Sequence, residues 1–409
     1  MDLKTQIDQA ASLAVPRWVV AVFGGAFLLV LMRWALLETQ PTAPVQQEKK
    51  VQLRAGPWGE LESVKIWIEK PDEFVAGNYA TNAQSHWFFP NMTSAQLLAL
   101  FQTCGLTRSQ AEWLCQTNRW ITTTNGIEVP PTGELVLELP RSARQQIYSA
   151  LAEWPRNQYQ YSPFTVRADE ASDWLEQSGL SKEMLALLER LLYQRGNTIC
   201  FSDLDPVYGR LTLPGEKRRL LKTLSRQSTV LMQLVIRPRS DVEALVGYWG
   251  KGGRAKDVRP LLESLTRVPG RGTIDIVHLV PPLARRLLYT YPYPSNDPVE
   301  LQRNCLWSAM NFFNEEPDDR FCDIREVEKA IRSDYYPIQN EPTFGDVFFL
   351  VDSSGQPFHA GVFIAEEKVF TKNGAHYTRP WLIMDFQDLM ACFPSNKPIR
   401  ISGFRLKRL

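Results

Sequence analysis

From residue 60 onward the apolar positions fall into short periodic runs separated by turn residues. In SVKIWIE (63–69) Val64, Ile66 and Ile68 alternate with polar neighbours, which predicts a strand with one buried face. TSAQLLALFQTCG (93–105) opens on a Thr/Ser cap, is apolar at 97, 98, 100 and 101, and stops at Gly105, which predicts a helix. SKEMLALLERLLYQRG (181–196) and EKRRLLKTLSRQ (216–227) have the same helical period, and STVLMQLVIRP (228–238) reads as a buried strand. LVLELPRSARQQIY (135–148) aligns without a gap on IVHLVPPLARRLLY (276–289), so that Pro140, Ala143, Arg144 and Tyr148 stand at Pro281, Ala284, Arg285 and Tyr289. The helices upstream, 94–105 and 241–252, match more loosely. A duplicated α+β module over residues 58–284 is expected, each copy being helix, second short helix, strand and proline-started helix.

The first 37 residues have a different pattern. WVVAVFGGAFLLVLM (18–32) has no charge, is bounded by Arg17 and Arg33, and extends to about 26 mostly apolar residues within 10–37. A single-pass transmembrane helix is the expectation, with both arginines reaching the headgroups and Trp18 and Trp34 at the interfaces. A cleaved signal peptide is the competing reading, but no A-x-A site follows the apolar core. Flanking Lys and Arg residues do not decide the orientation. ETQPTAPVQQEKKVQLRAGP (38–57) is polar, proline-bearing and aperiodic, as a linker is.

Residues 285–409 read as helices followed by strands. NCLWSAMNFFN (304–314) is a helix with an Asn at its cap and Cys305 in its first turn, where free amides favour a thiolate and can hold an oxyanion. DIREVEKAIRS (323–333) is a second helix. GDVFFLV (345–351), FHAGVFIA (358–365) and KVFTKNG (368–374), joined by turns, predict an antiparallel meander against which the first helix packs. His359 opens the middle strand, 54 residues after Cys305. A helix-borne cysteine served by a strand-borne histidine is the arrangement of a cysteine nucleophile with its base. Thr371 and Asn373 on the next strand are candidates to orient the imidazole, Asn373 being the better acceptor, with His376 a weaker third.

Composition narrows the function classes. The 409-residue chain has a net charge of +1 and no basic stripe with interleaved aromatics, so nothing supports nucleic-acid binding. Six cysteines show no C-x-x-C pair and no zinc spacing, which leaves no metal site or disulfide framework to read. Only four histidines exist, His86, His278, His359 and His376, so any histidine-dependent chemistry must use one of them. GKGGR (250–254) lacks phosphate-loop spacing.

With these residues in view, segment 285–409 resembles the NlpC-type bacterial cell-wall cysteine peptidases of the papain-like superfamily. The shared pattern is a tyrosine, Tyr293, twelve residues before Cys305, then Gly345-Asp346 opening a strand, then the H-A-G-V-F-I run at His359. The third family position falls by register on Thr371, and by chemistry Asn373 is preferred. The sequence departs from the family at Asn304-Cys305-Leu306-Trp307, where D-C-S-G is usual, and at YPYPSND, where glycines follow the tyrosine. The resemblance implies a papain-like domain, a Cys305–His359 site with Thr371 or Asn373 third, and Tyr293 and Asp346 at the oxyanion or substrate. It implies no metal or organic cofactor, and peptide bonds of peptidoglycan as substrate, with the soluble part on the extracytoplasmic side of a bacterial membrane. The middle module would then hold the wall polymer or a partner protein. A lipid or thioester hydrolase or acyltransferase on the same two residues, and a non-catalytic binding scaffold, remain as alternatives.

Overall fold

The computed structural model describes residues 50–75, 85–176, 178–293, 295, 297–393 and 398–409. The expected spanning helix of residues 10–37 and most of the linker lie outside these. Among the described residues no helix is long and apolar enough to cross a membrane. The expectations of a transmembrane fold and a membrane location are corrected accordingly: the architecture is α+β, with the helices short and the apolar residues spent on sheet cores.

The middle of the chain holds three copies of one unit, not two. The first runs through strand Trp87–Pro90, helices Ser94–Thr103 and Arg108–Leu114, strand Gly126–Val129, and helices Gly133–Glu138 and Arg141–Leu151. The second runs through Phe164–Arg167, Ala171–Leu175, Lys182–Leu191, Thr198–Phe201, Leu204–Arg210 and Pro214–Ser225. The third runs through Gln227–Ile236, Val242–Trp249, Ala255–Thr266, Gly272–Asp275, a 3-10 turn at Ile276–His278, and Pro282–Leu287. In each copy the opening strand pairs antiparallel with the closing one, Trp87 opposite Val129, Phe164 opposite Phe201, Ile236 opposite Gly272. The second helix of the first two copies starts identically in chemistry. Gly105 and Gly179 take positive φ, and Thr107 and Ser181 accept the backbone N–H three residues on. Leu139-Pro140, Leu213-Pro214 and Val280-Pro281 then start the last helix of each copy, with Arg144, Arg218 and Arg285 five residues after the first position.

The third copy is built into the C-terminal part. Its long strand pairs residue by residue with Glu60–Ile68, and that sheet packs on the C-terminal one. Thr229 Oγ1 donates to Ile383 O at 2.7 Å, Tyr289 OH to Val230 O at 2.8 Å and Tyr248 OH to Ile364 O at 2.8 Å. One apolar core contains Leu61, Leu234, Trp249, Leu279, Trp307, Phe349 and Ile383, so the boundary expected at 284/285 does not separate two cores.

The C-terminal sheet has six strands rather than three. Their spatial order is Tyr335–Pro337, Arg400–Leu406, Val347–Val351, Pro357–Ala365, Lys368–Lys372 and Trp381–Asp385, all antiparallel. The expected meander is its centre. Both faces are covered, which explains why Val347–Val351 and Pro357–Ala365 are apolar at nearly every position instead of alternating. Helix Cys305–Met310 covers one face and Phe386–Ala391 the other.

Lys70, just after the Glu60–Ile68 strand, is 1% exposed and its ammonium makes no hydrogen bond. It lies over the Tyr377 ring at 3.7 Å, and burial pulls it down to about 8. Because the unfolded chain holds that proton up to about pH 10.4, the penalty is fully present below pH 8 and fades as pH rises between the two values. Lys70→Met is expected to raise stability by about 2 kcal/mol at pH 7, with the gain shrinking above pH 8 in urea denaturation. Equal stability of the two proteins at pH 7 would remove the claim.

Candidate functional site

Cys305 begins its helix because Asn304 caps it: the Asn304 Oδ1 accepts from Leu306 N at 2.9 Å and Trp307 N at 3.1 Å. The helix is then locked in place. Ser308 Oγ donates to Asn304 O at 2.6 Å and accepts from Trp381 Nε1 at 2.7 Å, and every residue from Cys305 to Met310 is buried. Burial pushes the Cys305 thiol up, against the opposing pull of the Ala360 N–H and the charge of Lys372. The Leu306 and Cys305 amides at the helix start also favour the thiolate, but burial outweighs them.

His359 is also buried, and burial pulls it down to about 3. Its Nε2 lies 2.9 Å from Thr371 Oγ1, whose own hydrogen points to Ala360 O at 3.0 Å. A hydroxyl has one hydrogen, so the imidazole is the donor in the first bond and carries its proton on Nε2. The ring sits 4.5 Å from Phe393.

The two residues are not brought together. Successive strand residues point to opposite faces. Ala360 belongs to the core that contains Cys305, with Phe370 and Trp381 on the same face. His359 pairs across the ladder with Leu350, which belongs to the other core together with Val369, Leu382 and the adjoining Phe393. Cys305 therefore meets one face of the sheet and the imidazole leaves the other. No hydrogen bond joins them.

The remaining predicted residues are scattered. Thr371, the register choice, does bond the imidazole; Asn373, the chemical choice, does not. Its Nδ2 rests on Met384 Sδ at 3.5 Å and Cys392 Sγ at 3.8 Å, and its Oδ1 is buried without a partner. Tyr293 is 74% exposed with its ring against Phe74. Asp346 is structural: it accepts a two-pronged bond from Arg405 at 2.8 and 2.7 Å and another from Thr343 N at 2.8 Å. His376 Nδ1 lies 2.8 Å from Thr378 Oγ1. Among the described residues no His/Cys/Asp/Glu group could hold a metal ion.

The group that does lie beside Cys305 was missed. Lys372, 1% exposed, donates to Gly374 O at 2.7 Å and Ala375 O at 2.9 Å and lies 5.3 Å from the Trp381 ring centre. Burial pulls it down to about 7, while Cys305 draws it the other way. Its parity with Phe370, which puts it on the same face of the strand, was the available signal. No family model, no curated protein and no solved structure matches the chain.

Proposed function

We propose that this chain is a binding protein whose C-terminal domain keeps the residues of a cysteine peptidase signature as parts of its core. The observation that supports this is the position of His359, which projects from the sheet face opposite Cys305. A base must reach the proton it takes, directly or through one water. Here a packed sheet lies between the groups, and burial favours the neutral form of each. The ligand class that the resemblance suggests is peptide, as in the cell-wall polymer.

The test is incubation of the full-length chain and its Cys305→Ala variant with insoluble peptidoglycan. Mass analysis of the supernatant is expected to show no peptide specific to the wild type, and both proteins are expected to sediment equally with the polymer. Iodoacetamide is expected to leave Cys305 unlabelled at neutral pH until the protein is unfolded. Peptides released only by the wild type would overturn the reading; failure of both proteins to sediment would exclude this ligand.

A further inference from the structure

A cleft of about 500 Å³ opens between the second repeat and the end of the C-terminal sheet. Its volume is that of a small-molecule site. Its polar lining is unusual for this molecule. Elsewhere the buried arginines bond within the fold: Arg144 to Asp203, Arg226 to the carbonyls of Asp173, Trp174 and Glu176, Arg254 to those of Trp249 and Leu279. Two half-buried arginines line the cleft and make fewer bonds within the fold. Arg379 gives one bond to Pro163 O at 2.9 Å and a long one to Thr165 Oγ1 at 3.4 Å. Arg195 gives a single long bond to Gln160 O at 3.4 Å. Among the described residues neither guanidinium has a carboxylate partner.

Asp352 is the acid in the lining. Its Oδ1 is held by Ser354 N, Ser354 Oγ and Gln356 N at 2.8, 2.6 and 2.9 Å, which keeps the carboxyl below the usual range and so ionised. Two arginines against one carboxylate leave a single positive charge, suited to a monoanion rather than a phosphate dianion. Asn373 lines this cleft and a smaller neighbouring one, and its buried Oδ1 is an acceptor that lacks an N–H. Tyr161 and Phe358, 51% and 38% exposed, offer apolar surface beside these polar groups.

We infer that this cleft binds the carboxylate end of a peptide, with Arg195 and Arg379 on the carboxylate, Asn373 Oδ1 on the adjoining amide N–H, and the side chain against Tyr161 and Phe358. The inference deepens the binding role proposed above and rests on it. Arg-carboxylate forks give both charge and geometry, so the acid must be preferred to its neutral amide. The probes are N-acetyl-L-phenylalanine, N-acetyl-L-phenylalaninamide and phenyl phosphate, titrated against the full-length chain by calorimetry or ligand-observed NMR. The acid is expected to bind saturably and at least about 10-fold more tightly than the amide. Arg195→Gln is expected to weaken the acid about 10-fold and leave the amide unchanged. Arg195 is half-buried with one long bond, so this variant spares the fold; Arg379→Gln is read only beside its melting curve. Equal binding of acid and amide, phenyl phosphate binding more tightly than the acid, an unaffected Arg195→Gln, or no saturation of any probe by about 10 mM would each overturn the inference. Those outcomes leave the peptidoglycan sedimentation result standing. Cys305-dependent peptide release would instead refute the non-catalytic reading while the acid preference stayed measurable.

Discussion

Replacing Asp203 with alanine is expected to lower stability by about 3–5 kcal/mol, the cost of leaving a buried guanidinium without its counter-charge. Arg144 is wholly buried and Asp203 is 2% exposed. The pair links the first repeat to the second: Arg144 Nη1 bonds Asp203, Tyr148 OH donates to the same carboxylate, and Arg144 Nη2 reaches Val136 O at 2.9 Å. With Asp203 gone, the charge stays among carbonyls that cannot neutralise it. The repeat itself supplies the comparison. Arg218 and Arg285 occupy the same place in the other two copies but are exposed, so Arg218→Ala and Arg285→Ala are expected to stay within about 0.5 kcal/mol of wild type. The double variant Arg144→Met/Asp203→Leu is expected to recover most of the loss, because the cost lies in the unpaired charge and not in the missing attraction. Urea denaturation of the wild type and the four variants decides it; an Asp203→Ala loss below about 1 kcal/mol would show that water reaches the site.

Acid is expected to destabilise the fold through His359 by about 3 kcal/mol between pH 7.5 and pH 4. Burial pulls its folded value down to about 3, from about 6.5 in the unfolded chain. The unfolded state therefore binds the proton first as pH falls. The stability from keeping the imidazole neutral is complete above pH 6.5 and is lost progressively down to about pH 3. His359→Gln removes the titration and keeps a polar side chain beside Thr371, so its stability should fall less over the same interval. The other carboxylates and His376 titrate in both proteins and cancel in the comparison. Parallel stability–pH curves for wild type and His359→Gln would show that the imidazole is protonated without cost, and hence open to water. A histidine within reach of a thiolate would behave oppositely, held up rather than down.

Much of the secondary structure is legible because it is local. Helix Ser94–Thr103 follows from its cap and its stop, and strand Gln227–Ile236 from its apolar run. The helix predicted over 181–196 ends at Leu191: the chain turns at Leu192 and enters strand Tyr193–Arg195, since tertiary pairing with Thr198–Phe201 outweighs helix propensity there. The first and third repeats shared enough identical residues to be aligned. The second shares caps, turn glycines and the leucine-proline start, but few side chains, and is recognised only once its strands pair in the same way. The cleft arginines carried no signal, as Arg195 and Arg379 lie 184 residues apart.

By itself the sequence determined the helices and strands with clear caps and periods, which residues are apolar enough to be core, and that Cys305 opens a helix while His359 lies near the start of a strand. The tertiary structure decided which face of that strand meets the helix. Alternation makes the choice binary, and a shift of one residue would exchange Ala360 for His359 against the thiol. Both faces of this sheet are buried, so the apolar pattern along Pro357–Ala365 has no polar side to mark the outside. Only packing of Trp381, Phe370 and the cysteine helix on one side, and Leu350 and Phe393 on the other, settles where the imidazole goes.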